Sequence, residues 1–150
     1  MSDRSKFYEI IGAFKSSMIA LLSDPALELS DTHRTTCRDK LENTYKKLQA
    51  AKFANSQLPV ELTYEHLFKP YGKFILRENA DFFLKTEWEL KDAQYNIFLS
   101  ELKIIWEALD KSNRRTVWRY IKALFILCDN IMGENLIKQL EAEIAAESAN

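Results

Sequence analysis

Apolar residues return every three or four positions along most of the chain, the period of helices with one face turned inward. Between Ser5 and Ser23 the positions Phe7, Ile10, Ile11, Phe14, Met18, Leu21 and Leu22 keep this spacing. Asp3 or Ser5 offers an N-cap, and Asp24-Pro25 ends the helix, because the residue before a proline is driven out of the α region. A second helix is predicted from an N-cap at Ser30 or Asp31 to about Ala54. Its apolar stripe, Cys37, Leu41, Tyr45 and Leu48, is narrow and otherwise surrounded by charge, which places it on the outside with one edge buried.

The middle of the chain has a less even rhythm. Residues 55–62 contain Pro59 and no helical period, so they read as a connection, with Thr63 capping the next helical stretch. The stretch 64–88 is dense in aromatics. Pro70 predicts a break near Lys69, with the proline in the first turn of a new piece. Asn79 is placed to cap a short turn carrying Phe82, Phe83 and Leu84. The apolar surplus of this stretch predicts self-association. Residues 89–109 read as a long helix buried through Tyr95, Phe98, Leu99, Leu102, Ile105, Trp106 and Leu109.

Ser112–Met132 is apolar on nearly every side. Val117, Ile121, Leu124, Phe125, Cys128, Ile131 and Met132 form one face, and Trp118, Tyr120, Ala123, Ile126 and Leu127 fill much of the other. Water would penalise such a back face, so this helix is expected to be the encased centre of the molecule. The turn 110–113, with Ser112 or Asn113 as cap, predicts an antiparallel pair with the 89–109 helix. Gly133 stands where a left-handed C-terminal residue belongs. A last helix over 134–147 turns Leu136, Ile137, Leu140 and Ile144 inward, and residues 145–150 are expected to fray. The expected fold class is all-α, a compact bundle of roughly five to seven helices around residues 112–132. Residues 1–150 are expected to form a single helical domain, with the first, the 89–109 and the last helices nearest the centre.

Composition supports this picture: only 3 Gly and 3 Pro occur in 150 residues, too few turn-formers for a many-stranded protein. Net charge is −1, so no global field favours nucleic acid or an anionic membrane. Cys37 and Cys128 match no paired-cysteine motif and are expected to be reduced thiols of an intracellular protein, in cytoplasm or nucleus. The first apolar run is broken by Lys6, Glu9 and Lys15, so no secretory leader is expected, and no uncharged run is long enough for a transmembrane segment.

Candidate chemistry is sparse. His33 and Cys37 stand four apart on one helix, but two ligands do not hold a zinc ion and no third is evident. His66 reads as a surface or boundary residue. Nucleophile-elbow, phosphate-loop, zinc-protease and calcium-loop patterns are absent. Glu78, Asp81, Glu87, Glu89 and Asp92 read as a solvated acidic face. The expectation is therefore no enzyme, no cofactor and no metal. The one local charge feature is basic: Lys111, Arg114, Arg115, Arg119 and Lys122, with no acid among residues 111–122 and with Trp118 and Tyr120 interleaved. Cations at a helix N-terminus oppose its dipole and call for a compensating partner. Residues 61–110 carry 10 acids against 6 bases and can supply one. These five cations are the candidate anion- or partner-binding residues.

Residues 98–127, FLSELKIIWEALDKSNRRTVWRYIKALFIL, pair an apolar stretch ending in Ile-Trp with Val-Trp-Arg-Tyr-Ile-x-x-Leu across a turn. Upstream, PYGKFILRENADFF combines a tyrosine, an Ile-Leu pair, a charged turn and paired phenylalanines. This arrangement resembles small all-helical proteins of large nucleocytoplasmic DNA viruses. The resemblance implies a virus-encoded, non-enzymatic helical module, found in host cell or virion, and it carries over no catalytic residue. The expected function is protein interaction or assembly, through another protein or a second copy, with a structural or virion-associated role if viral. The alternative is a nucleic-acid-binding protein using the 111–122 patch.

Overall fold

The computed structural model describes residues 1–86 and 98–149. Among them the fold is all-α, without a strand. Helix α1 spans Asp3–Leu22 and is capped by Ser2, whose hydroxyl accepts from the Ser5 amide at 3.1 Å. Phe7, Ile11, Phe14, Met18 and Leu22 are its buried row, as the spacing predicts, joined by Tyr8. Helix α2 spans Asp31–Ala54 with Ser30 as its N-cap, and it buries only Cys37, Leu41 and Leu48. The loop between α1 and α2 is gathered by Arg34. Its guanidinium donates to the Leu22 carbonyl at 2.6 Å, Asp24 at 2.9 Å and Leu29 at 3.1 Å, and also to that of Leu27.

Residues 55–62 are not a simple connection. Asn55 Oδ1 accepts from the Gln57 and Leu58 amides and starts helix α3 at Leu58–Thr63. Pro59 lies in its first turn, where the missing N–H costs nothing. Thr63 is therefore no cap; its hydroxyl donates to the Pro59 carbonyl at 2.7 Å inside the helix. The chain then passes through a π-helical turn, Tyr64–Phe68, into helix α4, Lys69–Leu76. The expected break at Lys69 takes this form: the Lys69 amide reaches back five residues to Tyr64, and Pro70 sits in the first turn of α4. The wider turn gives the proline ring room. Helix α5, Asp81–Leu84, follows Asn79, whose side chain accepts from the Asp81 amide at 3.0 Å.

Residues 89–97 of the expected 89–109 helix lie outside the described residues. Its remainder is helix α6, Leu99–Ile105, ending in a 3-10 turn at Trp106–Ala108. A single rod from 89 to 109 is excluded, because Phe98 has φ +67°, a left-handed conformation that no α-helix passes through. Of the expected buried face, Phe98, Leu99, Leu102, Ile105, Trp106 and Leu109 are buried, and Tyr95 lies outside the described residues. Helix α6 packs on α2 and α5 rather than lying antiparallel along the central helix.

That central helix, α7, spans Lys111–Met132 and is capped by Asp110, slightly earlier in the chain than the serine and asparagine signals suggested. Gly133 closes it with φ +70°. Helix α1 lies along α7, with α3, the π turn, α4 and α8 on other sides. Phe68 stacks on Phe125 with centroids 4.6 Å apart, Phe14 on Tyr120 at 5.1 Å, and Trp106 meets Trp118 edge-on at 5.8 Å. Of the aromatics in the middle stretch, Tyr64, Phe68, Phe82 and Phe83 are buried, while Tyr71 is half-buried and Phe74 is exposed. Gly72 permits the closest approach, since a Cβ there would stand 2.5 Å from Leu140 and 3.1 Å from Phe125.

Helix α8, Leu136–Ala149, is fastened at both ends. Asp129 of α7, 8% exposed, accepts from the Leu136 and Ile137 amides at 2.8 and 3.1 Å and so caps α8 from another helix. The helix continues past Ala145 to Ala149. Glu143 and Glu147 pair with Lys73 at 3.2 and 2.8 Å, and Glu147 also with Arg77.

One buried acid stands apart. Glu101 of α6 is 3% exposed, and its Oε2 has no hydrogen-bond partner among the described residues. Burial pushes its carboxyl above the usual range, against the weaker pull of its own amide and Lys40. The folded state thus holds this proton more tightly than the unfolded chain. The resulting penalty is absent below the ordinary value of about 4.5 and grows as pH rises through it. Glu101→Gln is expected to stabilise the protein at neutral pH by about 1–3 kcal/mol, with the advantage shrinking towards pH ~4. Urea midpoints of both proteins across that range check this, and a gap independent of pH would refute it.

Candidate functional site

Helix α7 is less enclosed than its composition suggests. Val117, Trp118, Ile121, Leu124, Phe125, Leu127, Cys128 and Asp129 are buried. Arg115, Arg119, Ile126 and Asn130 are exposed, and Lys122 is half-buried between them. Steps of four, three, four and four residues put all five on one stripe of the helix. Ile126, expected in the core, is 52% exposed.

The five predicted cations separate into two groups. Arg114 is structural. Its guanidinium lies 5.0 Å from the Trp106 ring centre and donates to the Trp106 carbonyl at 3.2 and 2.9 Å, with Glu107 at 3.8 Å. It closes the end of the α6 segment, where a positive charge suits the helix dipole. Lys122 donates to Glu78, a residue with left-handed backbone, at 2.6 Å. The acidic 61–110 region thus neutralises these two, as its charge balance anticipated. Lys111, Arg115 and Arg119 are exposed and have no ion pair among the described residues. They sit in the N-terminal half of α7, where the helix dipole adds to their positive potential.

The interleaved aromatics do not form a stacking surface. Trp118 is buried against Phe82, Phe83 and Trp106. Tyr120 turns to α1, stacking on Phe14 and sharing a 2.8 Å hydrogen bond with Ser17.

Beside the stripe lies a cleft of about 550 Å³ between the end of α4, α7 and α8. Leu76, Phe125, Ile126, Ile137 and Ile144 give it an apolar lining, and Arg77, Lys122 and Glu141 stand at its edge. The cleft has no signature in the sequence, because it depends on how α4 and α8 are brought together. The α7 stripe itself was accessible: Arg115, Arg119, Lys122 and Ile126 share one helical spacing.

The other candidates come apart. Cys37 is buried while His33, four residues away, is exposed, so they share no ligand position. His66 is exposed. Glu78 and Asp81 of the acidic cluster are paired with Lys122 and Lys85, while Glu87, Glu89 and Asp92 lie outside the described residues. Burial raises the Cys37 and Cys128 thiols, which keeps both in the unreactive protonated form. Among the described residues no helix is long and apolar enough to cross a membrane. No family model matches the chain, and neither does any curated protein or any solved structure.

Proposed function

We propose that the protein is a non-enzymatic helical interaction module whose working surface is the exposed stripe of α7 and the cleft beside it. One observation carries this reading: Arg115 and Arg119, without acid partners among the described residues, share a helix face with a half-exposed isoleucine at an apolar cleft. Isolated surface cations are common; unpaired cations next to uncovered apolar area are the pattern of a protein-binding face. The likeness of residues 98–127 to small helical viral proteins supports an assembly role, structural or virion-associated. The nucleic-acid alternative loses Trp118 to the core, Tyr120 to a stack on Phe14 and two of its five cations to internal pairs.

Arg115→Glu/Arg119→Glu is expected to keep the helical content and thermal midpoint of the wild type, because both side chains are exposed. The same variant is expected to lose the proteins that the immobilised wild type captures from extracts of its native source. Capture unchanged by the double reversal would refute the reading. Steeply salt-dependent retention on a nucleic-acid column, lost in the variant, would replace it with the alternative.

A further inference from the structure

We infer that the α4–α7–α8 cleft takes one amphipathic helix of another protein, apolar on the side entering the cleft and acidic on the part lying over Arg119 and Arg115. The inference rests on the interaction reading above and names the chemistry of the partner. Two neighbouring helices, α7 and α8, border a trough whose lining is mainly aliphatic and aromatic, with Arg77, Lys122 and Glu141 among it. Side chains spaced i, i+4 and i+7 on a guest helix are what such a trough accepts. Its volume, about 550 Å³, accommodates a few large side chains of that guest. Ile126 at the edge supplies apolar area that no other element of the protomer covers among the described residues.

Charge decides what the guest carries beyond those anchors. Along α7 the stripe runs from Ile126 through Lys122 to Arg119 and Arg115, a distance of about 16 Å at the helical rise. Lys122 is held by Glu78 and Arg77 by Glu147, so they border the cleft as neutralised pairs. Arg119 and Arg115 are not neutralised among the described residues. A guest with carboxylates one to two turns beyond its apolar anchors meets them. Glu141, across the cleft on α8, selects against acids on the opposite edge of the guest and favours a cation there.

A second copy of this chain is a poor guest. On α8, the most acidic amphipathic helix described, Glu143 and Glu147 are already paired with Lys73 and Arg77. The exposed side of α2 is mainly basic. A nucleic-acid backbone would leave the apolar trough empty and bring phosphates towards Glu141.

The test uses the full chain as bait for a displayed library of helices of about 18 residues, five turns long, with Leu, Ile or Phe at i, i+4 and i+7 and all other positions random. Selected helices are expected to be enriched in Asp and Glu at one end of the edge next to α7. Fluorescence polarisation with a selected peptide is expected to show affinity falling by about tenfold or more in Ile126→Ser, and likewise in Arg115→Glu/Arg119→Glu. A Glu→Lys version of the peptide should bind the double-reversal variant better than it binds the wild type. No enrichment, enrichment without acids, or binding indifferent to these substitutions would overturn the inference. Loss of extract capture in the arginine variant would still stand in those cases and would keep the broader reading apart from this one. Light scattering on the free chain supplies the remaining outcome: a dimer abolished by Ile126→Ser would assign the cleft to a second copy instead.

Discussion

Phe125→Ala is expected to cost about 3–5 kcal/mol, a large part of the stability of a domain this size. The ring is 1% exposed and stacks on Phe68 of the π turn, almost parallel, at 4.6 Å. It also stands against Gly72 of α4 and lines the cleft floor. Truncation would therefore open a cavity where three elements meet. None of them can collapse easily, because α4 is tied to α8 by the Lys73 and Arg77 ion pairs and α8 to α7 by Asp129. The melting temperature should drop by about 10 °C or more. Denaturant unfolding measures the loss directly, and a cost below about 1 kcal/mol would mean the stack is not part of the core.

Replacing Arg34 with methionine is expected to cost about 2–3 kcal/mol, the range for hydrogen bonds to a charged group. One guanidinium holds the carbonyls of Leu22, Asp24, Leu27 and Leu29. Leu22 is the last residue of α1, so the cation also sits at the negative end of that helix. The loop lacks a glycine. Its Asp24 and Leu27 carbonyls close turns by accepting from the Leu27 and Leu29 amides at 3.1 and 2.9 Å, and they also converge on the Arg34 side chain. Arg34→Lys should rescue little, since an ammonium cannot fork to four acceptors. Hydrogen exchange should accelerate across residues 23–30 while α7 amides stay protected. Uniform acceleration across the molecule, or full rescue by lysine, would count against this account.

Elements bounded by local signals were legible in the sequence. Helix α2 begins and ends where Ser30 and Ala54 indicated, and Gly133 ends α7, because capping is decided within a few residues. Helix α3 is hidden when Pro59 is taken as a breaker, since in a first turn the same residue begins a helix. The left-handed Phe98 carries no local signal: its cost is borne by burial of the ring, which is a tertiary matter. Two buried acids keep the apolar rhythm, yet their charge disguises them as solvent-facing. Glu101 lies three residues from Phe98 and four from Ile105, and Asp129 lies four from Phe125. Of the candidate site, the spacing of Arg115, Arg119, Lys122 and Ile126 was visible. Which cations would be neutralised was not, because Glu78 is brought to Lys122 only by the folded backbone. The cleft required α4 and α8 side by side, a contact between Lys73 and Glu147, 74 residues apart.

The π turn at Tyr64–Phe68 sets the phase of everything after it in that helix. One residue corresponds to about 100° of rotation about the axis. Winding this stretch as an ordinary α-helix would swing the bare side at Gly72 away from Phe125 and present a side chain in its place. It would also carry Lys73 and Arg77 off the carboxylates of α8. The looser coil therefore works as a vernier: a single surplus residue aligns the tooth of one helix with the gap between two others.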